Sequence, residues 1–468
     1  MTGKRKRKLA MPDTLIIVAS VVLLVAILSW IIPSGTYDYQ EMNINGRIRN
    51  VAIDGTYHTI DKSEVTTTGF LGFFSVLYRG CVEAADVIFM ILCCCGTFGV
   101  VVKTGAFHAG IGTILKKLKG KEILLVPIIM VIFGLGGSVF GMASEFYGFY
   151  PLIVGLGVAL GYDAMFGFAI IAVGEFVGFM GATLNPYSVG IAQTISGVEL
   201  YSGTGYRAIC FVIFMAISII YVMVYGRKIK KNPGASVVFG EKNIHAFDRD
   251  ELNEYSFTLK DGLVLLDVLV VLFVLMLGLI KWGWDFPQLC GLFLLMSMIA
   301  AAICKWSPNK WCSEFIDSAK TAMWGCILTG IAKAITVVMQ DAQIMDTVIY
   351  GLSNVLKNAP HAVSAQVMLV VQTLINFFIP SATGQASATM PIMAQLADII
   401  GVSRQTAVLA FQFGDGLSNI FWPTADIVII CGLGGISLQK WYKWFTPLFL
   451  ILFVTQAILL GIATGIGF

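Results

Sequence analysis

The chain has 468 residues, 57% of them hydrophobic and 13% charged, with a formal net charge of +3 and a mean hydropathy of +0.82. Soluble globular domains carry about a quarter charged residues, so that class is excluded and a polytopic membrane protein is indicated. Apolar runs at 14–32, 208–224, 263–280, 286–303 and 448–466 approach the ~20 residues that cross a ~30 Å hydrocarbon core as helix, so helices rather than a barrel are expected.

The first run follows "KRKRK" at 4–8. It is too long for the apolar part of a secretory signal and has no small-x-small cleavage site, so 1–33 reads as a basic segment with a retained first transmembrane helix. Lys and Arg also gather at 116–121, 226–231 and 439–443, which assigns those segments and the N-terminus to the cytoplasmic side. Residues 34–66, rich in Gly, Thr and charge, then form an extracellular loop. "TTGFLGFFSVLYRGCVEA" sets aromatics against Arg79 and Glu83, the pattern of a helix lying in the membrane interface. A span near 85–103 returns the chain to the basic 116–121.

In 123–161 the apolar stretch 123–133 gives only ~16 Å of helix before "GLGG", so a re-entrant hairpin from the cytoplasmic face fits better than two crossings. "GLGGSVFG" has no preceding strand or α/β unit and reads as a hairpin tip rather than a nucleotide loop. Residues 164–195 could cross, yet Gly174, Gly178, Gly181 and Pro186 interrupt them, which predicts a helix broken near the midplane. A span near 205–225 closes a first repeat, 67–225, and the charged 226–260 is a cytoplasmic linker. In 261–468 the order recurs: two spans, an interfacial-type segment at "NKWCSEFIDSAKTAMW", another span, a second hairpin at 363–400 entered from outside, a broken helix at 404–432 and a last span.

Pro151, Gly161, Gly174 and Glu175 match Pro391, Gly401, Gly414 and Asp415 at one constant displacement. The matched elements face opposite sides of the membrane, which is the inverted-repeat arrangement of secondary transporters. Backbone that leaves a helix inside a bilayer must line a polar cavity or be buried in protein. Four interruptions are expected, at 136–138, 183–188, 381–387 and 414–424.

Each carries small polar or acidic residues suited to a ligand. The first hairpin offers Ser138, Ser144 and Glu145, and its broken helix Glu175, Thr183, Asn185 and Ser188. The second hairpin offers Ser381, Thr383, Gln385 and Ser387, and its broken helix Asp415, Ser418, Asn419 and Thr424. Half-helix ends supply carbonyls for a cation and N–H groups for a carboxylate, so an amino acid zwitterion or a carboxylate with a coupling ion would both fit. Ionised side chains at this depth are costly unless paired or wet. Glu145, Glu175 and Asp415 have no equally central cation, Lys333 and Arg404 being the nearest. That excess of acid favours a cationic substrate, a proton relay or Na⁺ over a dicarboxylate. Ten cysteines and four histidines show no CxxC or Cys/His spacing; buried free thiols and no metal centre are expected. No nucleophile–base pair is found, so the chain does not read as an enzyme.

At "GATLNPYSVGIAQTISG", "FFIPSATGQASATMPIMAQLADIIGVSRQTAVLAFQFGDGLSNIFWPT" and "IIPSGTY" the sequence resembles the YfcC-like branch of the C4-dicarboxylate anaerobic carrier (DcuC) family, in the ion-transporter superfamily. The resemblance covers nearly the whole chain. It implies an all-α polytopic membrane protein with the inverted-repeat ion-transporter fold, two re-entrant hairpins and two broken transmembrane helices, arranged as a scaffold and an elevator-type transport domain in a homodimer of the cytoplasmic membrane. It also implies exchange of basic amino acids of the arginine/ornithine type. Superfamily sites bind Na⁺ and carboxylate at Ser-Asn-Thr motifs; the matching stretches here, Thr183–Asn185 and Ser418–Asn419, are incomplete.

The leading expectation is therefore an antiporter in which Glu175 and Asp415 meet the substrate cation, while hairpin N–H groups, Asn185 and Asn419 hold its α-carboxylate. The alternative is a Na⁺- or H⁺-coupled carrier of C4-dicarboxylates or other short carboxylates. The expected partners are a small-molecule substrate and the lipid bilayer, with no nucleic acid and no cofactor beyond a coupling Na⁺ or H⁺.

Overall fold

The computed structural model describes residues 13–44, 47–118, 122–241, 245, 256–357 and 363–468. The basic run 4–8 and residues 242–244 and 246–255 of the linker expected at 226–260 lie outside them. Among the described residues, eight helices are long and apolar enough to cross a membrane: α1 (Thr14–Ile31), α3 (Ala85–Lys103), α7 (Ala164–Gly181), α9 (Thr204–Lys231), α10 (Leu259–Lys281), α11 (Phe286–Ile303), α13 (Met323–Asp341) and α19 (Leu438–Gly465). Shorter helices fill the intervals: α2 (Phe70–Glu83), α4 (Ala106–Leu118), α5 (Leu125–Leu135), α6 (Tyr150–Ala159), α8 (Val189–Ser196), α12 (Pro308–Lys320), α14 (Met345–Lys357), α15 (Ser364–Phe378), α16 (Ala382–Ile399), α17 (Arg404–Ser418) and α18 (Asp426–Gly434). The chain is a multi-pass membrane protein. Its outer helices expose large apolar side chains, such as Leu23, Leu24 and Ile27 on α1 and Leu266, Leu269 and Phe273 on α10, because lipid is their solvent.

The segment 34–66 is not an unstructured loop, and the all-α expectation fails there. Strands β1 (Ser34–Thr36) and β4 (His58–Ile60) pair antiparallel, as do β2 (Tyr39–Ile44) and β3 (Arg47–Ala52). Asp346 at the start of α14 fastens them, accepting from the Tyr37 amide at 3.0 Å and the Tyr39 hydroxyl at 2.8 Å. Burial and that carboxylate hold the Tyr39 hydroxyl well above the usual phenol range. The span expected to end near 225 runs on to Lys231. All ten cysteines are free; five are buried, and Cys312 is exposed.

The centre is α7, every residue of which is buried. It starts on Asp163, whose side chain accepts from the Phe166 amide at 2.7 Å, and α5, α6, α9 and α17 pack around it. The expected hairpin at 123–161 is helix, reversal, helix, and its arms α5 and α6 both lie on α7. The reversal falls later than "GLGG". Gly136 and Gly137 stay helical in a π-helical turn over Gly136–Phe140, and the chain turns at Gly141, whose φ is +68°. Gly137 serves approach rather than turning, because a Cβ there would sit 2.5 Å from the Glu175 carbonyl oxygen. Gly174 and Gly178 likewise do not break α7. Gly178 lets the backbone reach Gly134, whose carbonyl oxygen would lie 2.0 Å from an added Cβ.

The second half packs in the same way: α15 and α16 lie on α17, which also contacts α7, α8 and α19. The two central helices touch where Gln412 donates to the Phe179 carbonyl at 2.7 Å and Gly416 meets Met180.

Candidate functional site

The first broken helix opens at 182–188, between α7 and α8. Ala182 ends α7 in a left-handed conformation, and the hairpin reversal docks against it. Ser138 and Thr183 hydroxyls are 3.1 Å apart, the Thr183 amide donates to Ser138 Oγ at 3.0 Å, and the Leu184 amide donates to the Ser138 carbonyl at 3.1 Å. Asn185 Oδ1 accepts from the amides of Tyr187 and Ser188 at 2.9 and 3.2 Å. Ser188 precedes α8 as its N-cap residue, and its buried hydroxyl has no hydrogen-bond partner. The carbonyls freed at the end of α7 are met by Arg207 on α9. Only 1% exposed, it donates to the carbonyls of Ala182 (3.1 Å), Thr183 (3.2 Å) and Ser202 (2.8 Å). This is a central arginine that the sequence reading missed, because "TGYRAICF" looks like the start of a span where a cation would reach for headgroups. Arg404, named there with Lys333 as a nearest cation, instead pairs with Asp398 at 2.7 Å on the surface.

The second broken helix opens later than expected. Gly414, Asp415 and Ser418 are helical in α17, and the break occupies 419–425. Thr383, Gln385 and Ser387 are also helical, since the second hairpin is interrupted only at 379–381 and Ser381 caps α16. These corrections share a cause. Small polar residues sit one turn from a break because they pack there, and the composition alone does not separate the turn from the gap.

Asn376 on α15 organises the second half. Its amide nitrogen donates to Asp415 Oδ1 at 2.9 Å, Asn419 Oδ1 at 3.1 Å and Gln385 Oε1 at 3.2 Å. Gln385 in turn donates to the Gln372 side chain at 2.7 Å. Thr424 donates to the Phe377 carbonyl at 2.7 Å, and Thr383 to the Tyr187 carbonyl at 2.9 Å, tying the second hairpin to the first break. Ser418 and Ser387 bond back to the carbonyls of Gly414 and Thr383 within their own helices. Asn376, Gln372 and Arg207 were all absent from the sequence reading.

A cavity of about 350 Å³ lies between the ends of these elements and the pair α2–α13. Ser144, Ser381 and Thr424 line it, with Glu83, Tyr147, Lys333 and Asp426. The N-terminal ends of α16 and α18 open on it, and helix dipoles make such ends positive. Glu145 is buried nearby, accepting from the Ala143 amide at 3.0 Å. Neither Glu175 nor Asp415 lines the cavity; both are fully buried behind it.

Asp426, like Glu83 of α2, is an acid that does reach the cavity. Tyr147 donates to its Oδ1 at 2.7 Å, Tyr150 donates to Glu175 Oε2 at 2.8 Å, and Asp426 lies within electrostatic range of both Glu175 and Asp415. Oε1 of Glu175 and Oδ2 of Asp415 have no hydrogen-bond partner, and among the described residues none of the three carboxylates is in an ion pair. Asp426 carried a signal in the sequence that went unread. An acid in the first turn after "WPTA" is the favoured charge at a helix N-terminus, and it marks where the second half-helix begins.

Comparison with known proteins places this geometry in context. The family model described as "DcuC: C4-dicarboxylate anaerobic carrier" matches residues 11–465. A protein of Escherichia coli (strain K12) named "Putative basic amino acid antiporter YfcC" is 32% identical over 502 residues, covering 100% of this chain and 99% of that protein. An uncharacterized protein of Haemophilus influenzae is 28% identical over 509 residues, covering 99% of each. Among solved structures, the Alcanivorax borkumensis YdaH transporter is 14% identical with a TM-score of 0.43 over 98% of this chain and 99% of that one. Neisseria gonorrhoeae MtrF, described with a class of antimetabolite efflux pumps, is 15% identical with a TM-score of 0.44 over 97% and 96%.

Proposed function

The chain belongs to the C4-dicarboxylate anaerobic carrier (DcuC) family of membrane transporters, and on that premise we propose that it is a secondary active transporter exchanging basic amino acids across the cytoplasmic membrane. One observation carries the choice of substrate: two fully buried carboxylates, Glu175 and Asp415, and the partly buried Asp426 converge behind and on one cavity with no ion-paired cation among the described residues. Burying uncompensated charge costs several kcal/mol per ion, so a cationic ligand at Asp426 is the economical partner. The α-carboxylate of the same amino acid would face the positive ends of α16 and α18, with Ser381, Thr424 and Lys333. Asp415, Asn185 and Asn419 would then shape the site from behind. The name of the Escherichia coli relative agrees with this substrate class.

Transport would proceed by alternating access between two inverted repeats, with the hairpins and broken helices moving as an elevator. The repeat is supported by local structure that recurs. Gly161 and Gly401 both have positive φ, the side chains of Asp163 and Ser403 both cap the following helix, and Gly197 and Gly435 close both second half-helices with positive φ. Arg79 of α2 pairs with Asp341 of α13, while Asp317 of α12 lies within electrostatic range of Lys103 of α3, with the signs exchanged. Opposite facing is supported by the strands 34–66 lying over α16 and by the residues 233–241 lining a cavity with the end of the first hairpin. A cytoplasmic N-terminus is supported by basic clusters at one end: Lys440 pairs with Glu241 at 2.9 Å, and Glu241 shares a cavity with Lys230.

Proteoliposomes loaded with ornithine should take up labelled arginine, and Asp426→Asn should lower that exchange at least tenfold. Absence of exchange with every basic amino acid would overturn the reading. Lys333 and the two positive helix ends favour a second reading, a carrier of C4-dicarboxylates. In that case succinate-loaded vesicles take up fumarate, and Lys333→Gln is more damaging than Asp426→Asn.

A further inference from the structure

Glu175 is placed too deep to touch a substrate, yet it is not isolated from the cavity. Its Oε2 accepts from Tyr150, and Tyr147, three residues earlier, donates to Asp426 on the cavity wall. Tyr147 lies in the 3₁₀ segment Ser144–Phe149, and Tyr150 follows it as the first residue of α6. The two phenols lie within electrostatic range of each other, and the order Glu175, Tyr150, Tyr147, Asp426 leads from the buried carboxyl to the cavity.

Asp415 is equally buried but differently connected. Its hydrogen-bond donor is the carboxamide nitrogen of Asn376. A phenol hydroxyl can accept one proton while donating another, whereas a carboxamide NH₂ only donates, so a route for protons leads to Glu175 and not to Asp415. Among the described residues, the titratable groups facing Glu175 are Tyr150, Tyr147 and Glu145 of the first hairpin and Asp426 of α18, with Asp415 of α17 beyond Asp426. None of these is basic, and Arg207 of α9 is committed to the carbonyls of Ala182, Thr183 and Ser202.

We propose that Glu175 is a proton site linked to substrate binding: it holds a proton while the cavity lacks a cation and releases it when a cation occupies Asp426. The carboxyl O–H breaks, Tyr150, Tyr147 and Asp426 pass one proton on to cavity water, and the carboxylate left behind on Glu175 offsets the bound charge. A monocation then enters with no net change in buried charge. The proposal rests on the cationic-substrate reading above, and it makes the protein a cation–proton exchanger within its transport cycle.

Two measurements separate this from that reading. Arginine added to purified, weakly buffered protein with a pH dye should release about one proton per arginine bound near neutral pH. Glu175→Gln should bind arginine with no release, and Tyr150→Phe should slow it. Release by Glu175→Gln equal to the native protein's overturns the proposal. In the ligand-free protein, infrared spectra at neutral pH should contain a protonated-carboxyl C=O band that Glu175→Gln removes and that Tyr150→Phe shifts. Absence of that band overturns the proposal whatever the substrate. If no basic amino acid binds but the band is present, the substrate reading fails and the proton site stands. Where Glu175→Gln does not fold, the shift in Tyr150→Phe decides.

Discussion

The two helix breaks are built from different chemistry. In the first, hydroxyls and an arginine satisfy the backbone: Ser138 and Thr183 join the hairpin to the break, and Arg207 collects the carbonyls at the end of α7. In the second, an amide network holds a carboxylate, with Asn376 binding Asp415, Asn419 and Gln385 at once. The first break is closed by its own hairpin, by Arg207 and by Thr383 of the second hairpin. The second leaves the start of α18, with Asp426, at the cavity. The two breaks thus divide the work, one bracing the backbone and the other presenting polar groups.

That division can be tested by removing its parts in turn. Arg207→Met should have the largest effect on stability, about 3 kcal/mol or more, since it strands several buried carbonyls; a fall in the apparent melting temperature of purified protein measures it. Gly178→Ala comes next at ~1–3 kcal/mol, because backbone at Gly134 cannot yield. Gly414→Ala, on the second central helix, should cost less, as an added Cβ there meets Gln372 and Thr373 at 2.9 Å. Asn376→Ala should cost about 2 kcal/mol by stripping the donor from Asp415. Unlike Arg207→Met, it should also change transport selectivity in vesicles at matched protein levels. Ser138→Ala should cost about 1 kcal/mol and leave selectivity as it was. Arg404→Ala, which removes a half-exposed pair with Asp398, should stay within about 0.5 kcal/mol in the same melting experiment.

Much of the fold was legible in apolar runs and in their interruptions. Hairpins and broken helices followed from apolar lengths too short or too glycine-rich to cross unbroken. The positions of the breaks were not legible, because glycine serves two ends. At Gly141 it permits the turn, whereas at Gly137 and Gly178 it permits contact between helices that stay helical. Of the site, Ser138, Thr183 and Asn185 do meet across one break, and Asp415 and Asn419 share the Asn376 amide. Tyr147, Tyr150, Asn376 and Arg207 were invisible because each lies inside a run that reads as ordinary span or hairpin.

The sequence by itself determined that this chain lives in a bilayer, that its helices are interrupted in pairs, and that acids outnumber bases near those interruptions. Hydropathy and backbone chemistry enforce these locally, residue by residue. Only the tertiary structure decided which acid faces the cavity and which lie behind it. Burial and partnership depend on residues far apart in the chain, as when Tyr147 reaches Asp426 and Arg207 reaches back to Ala182, and no local pattern encodes where such groups meet.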